Sequence, residues 1–117
     1  MTRSRYHFHE HDFPYFMTCT IVGWLPIFTR PEALEILFSS WRFLQKERGF
    51  ELFGYVVLEN HLHLVGRAPD LNGAIKSFKM YTAGEILALL ERHGAEVLLR
   101  QLRANKLSHK KQSEYQV

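Results

Sequence analysis

The run Val56-Val57-Leu58-Glu59-Asn60-His61-Leu62-His63-Leu64-Val65, followed by Lys76-Ser77-Phe78-Lys79-Met80-Tyr81-Thr82-Ala83-Gly84-Glu85, decides how the chain folds. Apolar and β-branched residues flank Glu59-Asn60 on both sides. They read as two strands joined by a tight turn, which favours an antiparallel hairpin. Side chains of an extended strand alternate between faces, so His61 and His63 share one side while Leu62 and Leu64 share the other. Two imidazoles on one strand face can form two legs of a divalent metal site. The second stretch is a helical pattern in which Tyr81 follows two lysines and precedes a carboxylate by four residues.

Working outward, Phe50–Leu58 and His61–Ala68 are the two strands of the hairpin. Tyr15–Val22 is an earlier strand, rich in aromatic and β-branched residues, and Gly23-Trp24-Leu25-Pro26 breaks it. Pro31 suits the first turn of a helix, with Glu32 and Glu35 near the positive end of its dipole. Leu34, Leu37, Phe38, Trp41 and Leu44 recur at helical spacing, and Gly49 closes the helix. Pro69-Asp70-Leu71-Asn72-Gly73 is a turn, and a second helix runs from Leu71 or Gly73 to Arg92, ending at His93-Gly94. Periodicity leaves Ala95–Ala104 open between strand and helix. The order β-α-β-β-α, with antiparallel neighbours and helices on one face, predicts an α+β domain of ferredoxin-like type. A fourth strand would come from Ala95–Ala104 or from the N-terminal arm.

The chain has 117 residues, 46% of them hydrophobic, which suits one folded domain with a core of its own. A net charge of +3 is unevenly placed: six of the last eighteen residues are Lys, Arg or His, against one acid, Glu114. Such a balance is compatible with a polyanionic partner. A lone Cys19 in an apolar run excludes an internal disulfide and reads as a buried thiol. No apolar stretch approaches the ~20 residues of a membrane span, and Met1–Pro14 is charged and His-rich rather than a signal peptide. A cytoplasmic protein, nucleoid-associated when bound to DNA, is expected.

On the second helix, at about 100° per residue, Ile75, Phe78, Ile86, Leu89 and Leu90 form an apolar stripe. Tyr81 and Glu85 lie together on one border, with Lys76 and Lys79 toward the other. If the stripe packs on the sheet, its border can bring Tyr81 and Glu85 over the face bearing His61 and His63. Glu85 is then a candidate third ligand and Tyr81 a candidate nucleophile. A tyrosine oxygen can attack a phosphodiester and form a covalent phosphotyrosine that conserves the bond energy for rejoining. A metal held by two histidines and a carboxylate can polarise the phosphate and stabilise the leaving 3′ oxygen.

Asn60-His61-Leu62-His63-Leu64-Val65 resembles the HUH motif of the single-tyrosine transposases, including the REP-associated tyrosine transposases. Tyr15-Phe16-Met17-Thr18, Pro26-Ile27-Phe28 and Gly54-Tyr55-Val56-Val57 resemble that family's first strand, following loop and pre-motif strand. Ser77-Phe78-Lys79-Met80-Tyr81-Thr82-Ala83 resembles its tyrosine helix. The resemblance covers about residues 5–90, in order. It implies His61 and His63 as metal ligands, Tyr81 as nucleophile, and Glu85 at the position of a polar third ligand that is often Gln. Glu59 departs from the family, which commonly has proline there. The implied activity is metal-dependent cleavage and rejoining of single-stranded DNA, often beside a hairpin, with Mg²⁺ or Mn²⁺. Some members are homodimers that donate the tyrosine helix across the interface. The family continues past residue 117, so residues 1–117 are expected to form one HUH domain lacking part of a C-terminal tail.

Arg3, Arg5, Lys76, Lys79, Lys106, Lys110 and Lys111 are candidate contacts to the DNA backbone, which would make affinity fall with salt. The alternating His7, His9 and His11 suit phosphate contact more than a second metal site. Trp24, in a loop, is a candidate for stacking on bases, whereas Trp41 belongs to an apolar stripe. Three rivals were weighed. A histidine-triad nucleotide hydrolase needs a third alternate histidine where Val65 stands. A replication initiator or relaxase would bring further domains. A catalytically silent, domesticated DNA-binding relative would bind without forming a covalent product.

Overall fold

A computed structural model describes residues 13–21 and 25–115, with side chains described as far as Lys106. Strand β1 spans Tyr15–Thr20, and a single 3₁₀ turn at Ile27–Thr29 leads into helix α1, Pro31–Glu47. Strands β2, Glu51–Val57, and β3, His61–Arg67, form the hairpin. Helices α2, Leu71–Arg92, and α3, Glu96–Tyr115, follow. The sheet order is β1-β3-β2, with β3 antiparallel to both neighbours. β1 and β2 therefore run the same way with β3 inserted between them, the split β-α-β arrangement of an α+β, ferredoxin-like domain. Glu96–Ala104 belongs to α3, so Ala95–Ala104 supplies no fourth strand. The N-terminal arm lies outside the described residues.

Local chemistry explains where the elements stop. Pro31 occupies the first turn of α1, where a missing N–H costs nothing, and Gly49 follows the helix at φ +62°. Asp70 caps α2 by accepting a hydrogen bond from the Gly73 amide at 3.1 Å, and Gly94, at φ +63°, ends it. The Glu59-Asn60 turn is held from both sides of the β1–α1 connection. The Ile21 amide donates to the Asn60 carbonyl and the Phe28 amide to the Glu59 carbonyl, both at 2.9 Å.

Alternation along β3 sorts the two faces of the sheet. Leu62 and Leu64 are buried, together with Met17 and Cys19 of β1, and form one core with Trp41 and Leu44 of α1 and Phe78 of α2. Tyr55, opposite Leu64 on β2, meets the rings of Phe38 and Trp41 at 5.7 and 5.1 Å, and Trp41 stacks on Phe78 at 5.9 Å. Helices α1 and α2 thus cover the leucine face. All five residues of the predicted α2 stripe are buried, and Thr82 within it donates its hydroxyl to the Phe78 carbonyl. Helix α3 adds Leu98, Leu99 and Leu102 at the margin of the core. Among the described residues no element packs on the opposite sheet face, and Phe16, Phe53 and Val56 each keep more than half of their surface exposed.

Candidate functional site

His61 and His63 lie on the open face of β3, half-buried, with ring centroids 4.9 Å apart and nearly perpendicular. Each ring is oriented through Nδ1. His61 Nδ1 meets Asn60 Oδ1 at 2.8 Å, and His63 Nδ1 meets Thr18 Oγ1 at 3.0 Å across the β1–β3 ladder. Asn60 Oδ1 is an acceptor, so this contact suits the tautomer with the hydrogen on His61 Nδ1. Fixing Nδ1 with a neighbouring oxygen is how a protein aims imidazole Nε2 at a ligand. Phe16 completes the support by stacking on His63, with centroids 5.3 Å apart and planes 22° from parallel.

The pair fits two nitrogen legs of a divalent ion, and imidazole donors suit Mn²⁺ better than Mg²⁺. Among the described residues no three His, Cys, Asp or Glu side chains gather into a metal-binding group. Glu85, expected as the third ligand, is exposed on α2. Tyr81, expected beside the same ion, is 45% exposed on α2 as well. The reason is the alternation itself. The α2 stripe packs on the face of Leu62 and Leu64, which leaves the histidines on the far side of the sheet. Tyr81 instead borders an open concavity lined by Arg48, Gly73, Lys76, Ser77 and Met80.

The candidate DNA contacts separate in the same way. Lys76 is exposed in the concavity. Lys79 is half-buried near Cys19, and burial pushes its ammonium below its ordinary pKa. Cys19 itself is buried, which pushes its thiol up and excludes a thiolate nucleophile. Lys110 and Lys111 fall within α3. Arg3, Arg5, His7, His9, His11 and Trp24 lie outside the described residues. Trp41 is buried in the core, as its helical spacing implies.

Thr18, Asn60 and Phe16 form the immediate surroundings of the histidines, and of these the motif quoted above contains only Asn60. The signal for Thr18 was its place in an alternating strand, which becomes useful only once the register Thr18↔His63 is known. Among the described residues no helix is long and apolar enough to cross a membrane. No family model, no curated protein and no solved structure matches the chain.

Proposed function

We propose that the chain is a transposase-type HUH endonuclease, cleaving and rejoining single-stranded DNA through a covalent phosphotyrosine. The observation that carries this is the orientation of His61 and His63, each held through Nδ1 on an open sheet face. The two imidazoles would hold Mg²⁺ or Mn²⁺, which would supply charge stabilisation at the scissile phosphate. Tyr81 Oη attacks phosphorus as it loses its proton, the P–O3′ bond breaks, and the 3′ oxygen leaves protonated. Reversal with a new 3′ hydroxyl rejoins the strand and releases the tyrosine. Because its own sheet separates Tyr81 from the histidines, the tyrosine comes from a second copy of the chain, which also brings Glu85 to the ion. A homodimer is the working unit, and Lys76 beside Tyr81 guides the DNA backbone.

The second reading is a catalytically silent DNA-binding relative. It is favoured by the packing of α2, which carries Tyr81 and Glu85, on the sheet face opposite the histidine pair. One experiment separates the two. Labelled single-stranded oligonucleotides from the DNA flanking the gene, hairpins included, are incubated with the protein with and without Mn²⁺ and run on a denaturing gel. A Mn²⁺-dependent adduct that disappears in Tyr81→Phe supports the enzyme. Salt-sensitive binding with no adduct on any of these oligonucleotides supports the silent module.

A further inference from the structure

We propose that the open sheet face is a base-stacking platform on which Phe16 and Phe53 each hold one unpaired base beside the histidine pair. This rests on the reading that the histidine face handles single-stranded DNA, and deepens it by naming the residues that hold the bases. Phe16 is 62% exposed and Phe53 56% exposed; Phe13 and Phe43 are comparably exposed, but one precedes β1 and the other lies on α1, off the sheet. Phe16 lies opposite Val65 on one side of β3. Gly54, next to Phe53, lies opposite the same residue on the other side. The two aromatics therefore stand two inter-strand spacings apart, about 10 Å.

Each ring is already in an environment suited to stacking. Phe16 lies nearly parallel to the His63 imidazole, which holds it upright on the sheet. Phe53 falls at the irregularity between Leu52 and Gly54, where an extra residue leaves the β2–β3 ladder and its side chain is re-aimed. The Arg67 guanidinium carbon sits 5.9 Å from the Phe53 centroid. Arg67 is held there by Glu51, opposite it in the ladder, with 2.8 and 2.9 Å contacts to the two carboxylate oxygens. Exposed π-faces on either side of β3 match successive unpaired bases of a single strand. A duplex keeps its base faces stacked internally and cannot use such a surface. The chain's net charge of +3 favours the same partner.

The test uses the full chain with fluorescein-labelled dodecathymidylate, a 2-aminopurine oligonucleotide, and the duplex of the latter. Phe16→Ala and Phe53→Ala, both exposed positions, should keep the wild-type circular dichroism. Each should weaken single-strand binding about five- to one-hundred-fold. The slope of log affinity against log salt should not change, because stacking releases no counterions. Quenching of 2-aminopurine should be lost with Phe16→Ala and retained in Phe16→Trp. Unchanged affinity in both alanine variants overturns the platform. If those variants still form the metal-dependent adduct, the nuclease reading stands without it. Failure of the wild type to bind either oligonucleotide overturns the platform, while adduct formation on the flanking DNA decides the nuclease reading separately. Dissociation of a dimer by Phe16→Ala, with DNA affinity unchanged, would make the face an interface between copies and also overturn the platform.

Discussion

Thr18 and His63 face each other across the β1–β3 ladder, with Thr18 Oγ1 3.0 Å from His63 Nδ1. The hydroxyl fixes a ring that would otherwise rotate about its side-chain bonds. Thr18→Val keeps the shape and removes the oxygen. Mn²⁺ affinity, measured by titration calorimetry, should fall about ten-fold or more, the usual effect of losing an outer hydrogen bond to a metal-ligating histidine. Thermal stability should change little, since a part-exposed hydrogen bond contributes only about 1 kcal/mol.

Donation of Tyr81 by a second copy makes a complementation prediction. Tyr81→Phe alone and His61→Ala/His63→Ala alone should each form no adduct. An equimolar mixture, allowed to exchange subunits, should recover on the order of a quarter to a half of wild-type yield, because only mixed dimers carry an intact tyrosine opposite an intact histidine pair. No recovery after verified exchange would return Tyr81 to its own subunit's histidines and overturn donation across the interface.

Gly66 lies on the buried face of β3 beneath Phe50, and an added Cβ would come within 2.6 Å of Phe50 Cζ and 2.8 Å of Cε2. The Phe50 ring is itself buried and has little room to yield. Gly66→Ala should cost about 1–3 kcal/mol in urea unfolding, the usual range for overpacking. Phe50→Leu in the same chain should recover part of that loss, giving a non-additive double-mutant cycle.

The Cys19 thiol, raised by burial from its ordinary 9.0, stays protonated in the folded chain after it has begun to ionise in the unfolded one. Above about pH 9 the unfolded state therefore binds fewer protons than the folded state, and stability falls as pH rises. Cys19→Ala should flatten that decline between pH 8.5 and 10 in equilibrium unfolding. Below pH 8 the thiol adds no pH dependence. In the same range iodoacetamide should label the native wild type slowly and the denatured chain rapidly.

The sequence alone disclosed most of the fold. Pro31, Gly49, Asp70 and Gly94 mark helix ends that local chemistry dictates, so the bounds of α1 and α2 fall within two residues of expectation. Ala95–Ala104 resisted because its leucines serve a helix margin and a strand equally well, and only packing against α2 decides. The histidine pair was legible because alternation is local. Its separation from Tyr81 is also implicit in the alternation. The residues that alternate with the histidines are leucines, and an apolar helix stripe must cover leucines rather than imidazoles. Placing that stripe border over the histidines asked one sheet face to be both core and site. Thr18 and Phe16 depended on strand register across 45 or more residues, which no local pattern carries.

The central position of β3 has a further consequence for how the site behaves in time. Both of its edges are hydrogen-bonded, whereas β1 and β2 each pair on one side among the described residues. The amides flanking His61 and His63 should be among the slowest to exchange with deuterated solvent, their opening approaching global unfolding. The histidines then form a stationary anvil. Whatever completes the site, whether strand, ion or partner helix, arrives at a surface that does not wait to be organised.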